Sequence, residues 1–314
     1  MRLTTRAMGG LFQKKPSEPP PLTGDPLLQG ALARFLKGDF ATVDRLLSLD
    51  PPDLRYFYAF QLAEKLTRQQ IAACGTDRPS ALLLRAAHGP QWAWEARSNA
   101  VARDLSSGQV QSFADRLGVA AQEIEALPET DPNRWALMLI VAKGKNMPLM
   151  ESERLYGRVG PEHYFGAANY LECQCKKWAG THQRALDFAC GAAEKAHDGS
   201  LMGALVASAL IEQWLYASSF EKNAEEAARI LCDQQLINLS LKAHQRSLGS
   251  PHFEETPSAI DPRNTQAFWF YLSKQRDPLR VELQKLGKRF TRWPWCYLGP
   301  PGKTYGEARK FAGL

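Results

Sequence analysis

The residues best suited to chemistry gather around one turn, Lys177-Trp178-Ala179-Gly180-Thr181-His182, which sets a cation, a large aromatic ring and a titratable imidazole side by side. Exposed together, Lys177, Trp178 and His182 would grip another protein through charge, ring contact and hydrogen bonding. A packing role accounts for the same residues. Trp178 then closes an apolar stripe, Gly180 permits the turn, and Thr181 or His182 caps the following helix. A hydrolase would instead recruit His163 or His182 as general base, with Glu162, Glu172 or Glu212 to orient it. That chemistry needs hydrogen-bond reach between imidazole and acid, which spacing along a chain does not supply. No G-x-S-x-G elbow, H-E-x-x-H helix or Cys–His nucleophile phrase occurs. The expectation is a binding protein rather than an enzyme, with no cofactor.

Other pairings invite chemistry that their surroundings do not complete. Cys173 and Cys175 are two apart, and on a helix such residues point about 200° from each other, so they cannot share a metal. The six cysteines are scattered along 314 residues and read as reduced thiols rather than a disulfide framework. The phrase Gly299-Pro300-Pro301-Gly302-Lys303-Thr304 ends like a phosphate-binding loop, but Tyr297 occupies the place of the required first glycine. A turn into a last short helix capped by Thr304 is expected there.

The formal net charge of +6 is unevenly placed. Residues 274–310 hold ten Lys and Arg against three acids, which makes that stretch +7 and leaves −1 for the remainder. Within it, Lys285, Lys288, Arg289 and Arg292 could meet the phosphates of a nucleic acid, and Trp293, Trp295 and Tyr297 could stack on unpaired bases. A solvated helix face and an aromatic segment buried across a groove produce the same pattern.

These residues need elements to position them, and the elements read as helices. With 44% hydrophobic and 23% charged residues the chain is globular. Residues 1–24 form a Pro-rich leader without apolar periodicity, expected to contribute little to the core. No signal-peptide core is seen, and the longest apolar run, Leu201 to Ile211, is shorter than the roughly 20 residues that span a bilayer. No membrane helix and a cytoplasmic location are expected. Asp25-Pro26, Asp131-Pro132 and Asp277-Pro278 each combine a capping carboxylate with a first-turn proline. Helical spacing continues through about 79–88, a Gly89-Pro90 break, 91–105, 107–126, 132–143, 147–158, 161–177, 182–197, 200–217 and 222–246.

In the segment from Pro161, Tyr164, Ala168, Leu171, Cys175 and Trp178 fall on one face, and Leu186, Ala189, Cys190 and Ala193 stripe the next helix. Both stripes need cover, and small residues such as Ala167 and Ala192 let helix axes approach closely. The reading is all-α: an irregular solenoid of antiparallel helix pairs over residues 25–248 with a tetratricopeptide-like period. Gly249 to Asn264 forms a loop that opens a C-terminal helical extension, residues 249–314, whose basic, aromatic segment packs back on the body.

Several ordered phrases between about residues 80 and 217 resemble a bacterial family of helical, tetratricopeptide-like proteins known as domain of unknown function 4034. They are Ala93-Trp94-Glu95-Ala96-Arg97, Asp131-Pro132-Asn133-Arg134-Trp135, Pro161-Glu162-His163, the turn from Lys177 to His182 with Phe188-Ala189, and Leu205-Val206-Ala207 leading to Ile211-Glu212-Gln213-Trp214. The chain departs from the family at Ser98 and Ala179, where members carry Gly, and at Leu210, where they often carry His. The resemblance implies antiparallel helix pairs and no particular activity.

Overall fold

The computed structural model describes residues 18–75, 77–97 and 105–314. These residues form helices and turns, with no strand among them, so the chain is all-α. The first half contains α1 (Pro26–Phe35), α2 (Ala41–Leu46), α3 (Pro52–Lys65), α4 (Arg68–Ala72), α5 (Pro79–Arg97), α6 (Ser107–Glu125), α7 (Pro132–Gly144) and α8 (Leu149–Tyr156). Then follow α9 (Tyr164–Gln174), α10 (His182–Lys195), α11 (Ala204–Leu215), α12 (Ala224–Cys232) and α13 (Gln234–Gln245). The last three are α14 (Ile260–Leu272), α15 (Arg276–Leu286) and α16 (Pro301–Phe311).

Two of the three Asp-Pro starts work as expected. Asp25 accepts from the N–H groups of Leu27 and Leu28, and Asp131 from that of Asn133, with proline next in each case. At the third, helix α15 begins at Arg276, and Asp277 lies inside its first turn without capping it. There its carboxylate acts only through the helix dipole. Thr304 likewise lies inside the first turn of α16, which starts at Pro301, and its hydroxyl donates back to the Pro300 carbonyl.

Several segment boundaries differ from the sequence reading. Gly89-Pro90 does not break α5, which runs through both residues. A Cβ at position 89 would sit 3.0 Å from Ala120 Cα, so the missing side chain lets α5 lie against α6. The remainder of the expected 91–105 helix beyond Arg97 falls outside the described residues, as do residues 1–17 of the leader. The described end of the leader is a tight turn, Pro21–Gly24, whose Leu22 is buried against the core. The 222–246 segment divides at Asp233, whose carboxylate caps α13 by accepting from Gln235 and Leu236. Pro262 belongs to the first turn of α14 rather than to a loop, because a first-turn N–H has no helical partner to lose.

Helices adjacent in sequence pack together, as in α5 with α6, α10 with α11, and α14 with α15. Longer-range packing closes the structure. Helix α3 lies on α7 and α9 as well as on α5, and α11 lies on α14. The Phe165 N–H donates to Asp53 Oδ1 at 3.1 Å, and Asn169 Nδ2 donates to the Tyr56 hydroxyl at 3.0 Å, so the first turns of α9 are tied to α3. With its flanking turns, α11 extends over Leu201–Phe220, long and apolar enough by composition to cross a membrane; 67% of its most apolar 18-residue window is buried among the other helices.

Candidate functional site

The turn between α9 and α10 folds tightly because Gly180 passes over the end of α9. A Cβ at Gly180 would lie 1.9 Å from the Gln174 carbonyl oxygen, so no other residue fits without moving the backbone. Thr181 then caps α10, its hydroxyl accepting from the Arg184 N–H at 3.1 Å.

Lys177 and Trp178 point inward from this turn. Lys177 Nζ lies 2.6 Å from Glu212 Oε2 on α11, with both side chains largely buried. Burial alone would lower the Lys177 pKa, but Glu212 and Glu172 outweigh it and hold the ammonium well above its ordinary value. The ring of Trp178 meets Trp94 edge to face at 5.8 Å, and Lys143 Nζ stands 5.1 Å from the Trp94 ring and 6.0 Å from Trp178. Lys143 also forms a short ion pair with Glu172. Burial raises the Glu172 pKa, yet Lys143 and Lys177 together keep its carboxyl below the usual range. The Tyr297 hydroxyl approaches the same charges, and burial followed by Glu212 pushes its pKa up. Two of the three residues expected to bind a partner therefore serve as internal struts joining α7, α9 and α11.

His182 has a different position. Its half-exposed ring meets Tyr216 edge to face at 5.1 Å, and Tyr216 stacks on Phe220 at 5.3 Å with the rings 4° from parallel. Burial, then Lys176, lowers the His182 pKa, so the imidazole is neutral near pH 7. Tyr216 and Phe220 belong to a π-helical turn that closes α11, with the Glu221 N–H donating to the Tyr216 carbonyl at 3.0 Å. Such widened turns displace side chains outward and recur at functional positions. Lys176 Nζ lies 4.5 Å from the Tyr216 ring and 2.7 Å from Glu221 Oε1. Phe220 is 48% exposed, so the row of rings ends in solvent. Sequence reasoning missed Tyr216 and Phe220; the available signal was two aromatics four residues apart at the end of the apolar run, where a helix no longer hides them.

His163 and His182 are not brought together. His163 caps α9 at its first turn and His182 opens α10 beyond the other end; the 11 residues of α9 span about 16 Å. The buried His163 accepts from the Gly166 N–H through Nδ1, which leaves Nε2 protonated to donate to Asn133 Oδ1 at 2.9 Å. Burial lowers its pKa to about 4. Asp53 Oδ1 stands 3.2 Å from that same Nδ1, and burial raises the Asp53 pKa to about 7. While His163 is neutral this contact is one acceptor facing another, and protonation of the carboxyl relieves the repulsion. Of the proposed acid partners, Glu162 pairs with His197 at 2.6 Å, and Glu172 and Glu212 pair with lysines. Cys173 and Cys175 are buried, each thiol lying against a carbonyl of its own helix. Among the described residues no group of three or more His, Cys, Asp or Glu is placed to hold a metal.

The basic C-terminal residues lie at and beyond the end of α15. Lys285 donates to the Leu248 carbonyl at 3.3 Å, Arg289 to the Lys285 carbonyl at 3.1 Å, and Arg292 sits 5.7 Å from the Trp293 ring. Lys288 is exposed. The aromatic segment after them divides: Trp295 is fully buried, while Trp293 is 50% exposed.

Set beside known proteins, the chain matches no family model, no curated protein and no solved structure.

Proposed function

We propose that this chain is a non-enzymatic protein-interaction module, an irregular stack of helix pairs that binds another protein at the edge formed by His182, Tyr216 and Phe220. The observation that carries this reading is the stacked Tyr216–Phe220 pair, which leaves Phe220 48% exposed at a helix end. Rigid aromatic rings supply contact area at low entropic cost, and binding energy concentrates on such anchors. Lys176 and Glu221 flank the rings with opposite charges that would fix a partner's orientation. Lys177 supports this edge by tying the α9–α10 turn to Glu212 on α11, while Trp178 packs the same turn against Trp94 on α5.

The test is affinity capture with quantitative mass spectrometry, comparing the wild-type protein with Phe220→Ser and Tyr216→Ala. Partners specific to this edge should be depleted about 10-fold or more by either substitution, while the melting temperature stays near wild type. Equal capture by folded variants would remove the assignment.

A further inference from the structure

We infer that the C-terminal region has a second binding activity, toward single-stranded nucleic acid, centred on Trp293. Three observations combine. Of the ten Lys and Arg between residues 274 and 310, nine are exposed, whereas of the three acids in that stretch only Asp277 and Glu307 reach the surface. Glu282 is fully buried in an ion pair with Arg263 at 2.6 Å. Folding therefore removes a negative charge from this surface and leaves it more positive than the sequence indicates.

The second observation is what the cations touch. Lys285 and Arg289 donate to backbone carbonyls, and the Arg292 guanidinium lies over an indole, so their charges are oriented without being neutralised there. Such groups can release bound counterions when a phosphodiester backbone replaces them.

The third is the way Trp293 is held. The fully buried Asn264 accepts from the Thr291 N–H at 3.3 Å and from Trp295 Nε1 at 2.7 Å, which pins the chain on both sides of Trp293. The Thr291 hydroxyl adds a short hydrogen bond to the Trp293 carbonyl. Trp295 packs edge to face on Phe268 at 5.4 Å, whereas Trp293 meets Tyr297 at 5.1 Å with the rings tilted by 55°. The backbone that carries Trp293 is thus held in place, with its half-exposed ring beside Arg292. A base stacked on an aromatic face, with cations along its backbone, is the chemistry by which single strands are bound without sequence preference. An acidic protein segment would satisfy the cations but carries no ring at every charged unit to stack on the indole, and a duplex keeps its bases inside.

The experiment uses the full chain and fluorescein-labelled oligo(U), oligo(dT) and a mixed-sequence duplex of about 15 nucleotides, titrated by anisotropy between about 50 and 200 mM salt. Both single strands should bind more tightly than the duplex, with affinity falling steeply as salt rises and tryptophan emission quenched on binding. A preference between the two identifies the natural sugar and supports the proposal either way. Trp293→Ala should weaken binding about 5- to 100-fold, and Trp293→Phe should restore much of it. Lys288→Gln combined with Arg292→Gln should lower the salt slope by about 1.4. Absent or salt-insensitive binding, displacement of the oligonucleotide by poly-glutamate at equal charge, or a folded Trp293→Ala protein that binds as wild type would each overturn it.

Discussion

Asp53 and His163 meet through atoms that would repel each other if both were unprotonated, and their titrations act on stability with opposite signs. The folded Asp53 carboxyl keeps its proton up to about pH 7, whereas the unfolded chain releases it near 3.8, so this contribution is full at low pH and is lost as pH rises to 7. His163 titrates near 4 when folded and near 6.5 otherwise; its contribution is full above 6.5 and lost as pH falls toward 4. Between those limits the two slopes oppose each other. Asp53→Asn removes one of them while keeping an acceptor for the Phe165 N–H. Thermal melts should show the variant more stable than wild type at pH 8 and losing stability on acidification from pH 6.5 to 4.5 more steeply. An unchanged pH profile would refute a protonated Asp53. The Lys177–Glu212 pair poses a separate test, since each side chain is at most 15% exposed. Removing one partner, as in Lys177→Met, leaves a buried charge and should cost about 3–5 kcal/mol in denaturant unfolding, whereas Lys177→Met with Glu212→Leu should cost less than either single change.

At the scale of elements, the α9–α10 turn depends on a missing Cβ, and Gly180→Ala should cost about 1–3 kcal/mol by forcing Gln174 and the turn apart. A chemical melt that matches wild type would show that the turn relaxes freely. The existence of most helices was legible in the sequence because their apolar stripes repeat with helical period; Asp25 and Asp131 announced their caps through an Asp-Pro pair, whereas the α10 cap was narrowed only to Thr181 or His182. Gly89-Pro90 read as a stop because glycine and proline usually end helices; only the neighbouring α6, invisible to local spacing, explains why glycine is needed inside α5. The candidate site was half legible for the same reason. The turn at Lys177 could be found from its residues, but the inward rotation of Lys177 and Trp178 depends on Glu212 and Trp94, which are 35 and 84 positions away in the chain. Tyr216 and Phe220 emerged only once the end of α11 was seen to widen.

Across the whole molecule, the long-range ties rest on a few buried polar residues. Asn264 holds both the Thr291 N–H and the Trp295 indole, and Arg263 reaches Glu282 on α15 and Glu255 in the segment before α14. Asn264→Ala should cost about 2–3 kcal/mol and free the segment around Trp293, seen as earlier proteolytic cleavage near residues 288–294 and a red shift of tryptophan emission. Cleavage that stays at wild-type positions and rates would show that packing of Trp295 alone secures the segment. The burial of Trp295 against Phe268 also makes the packing of α14 depend on a segment that follows α15. Phe268 meets Trp214 of α11 at 6.1 Å and Trp295 at 5.4 Å, so its burial draws on two distant parts of the chain. A chain cut before residue 295 would leave that contact unmade and turn part of a core aromatic ring toward water, a surface that favours association over solution.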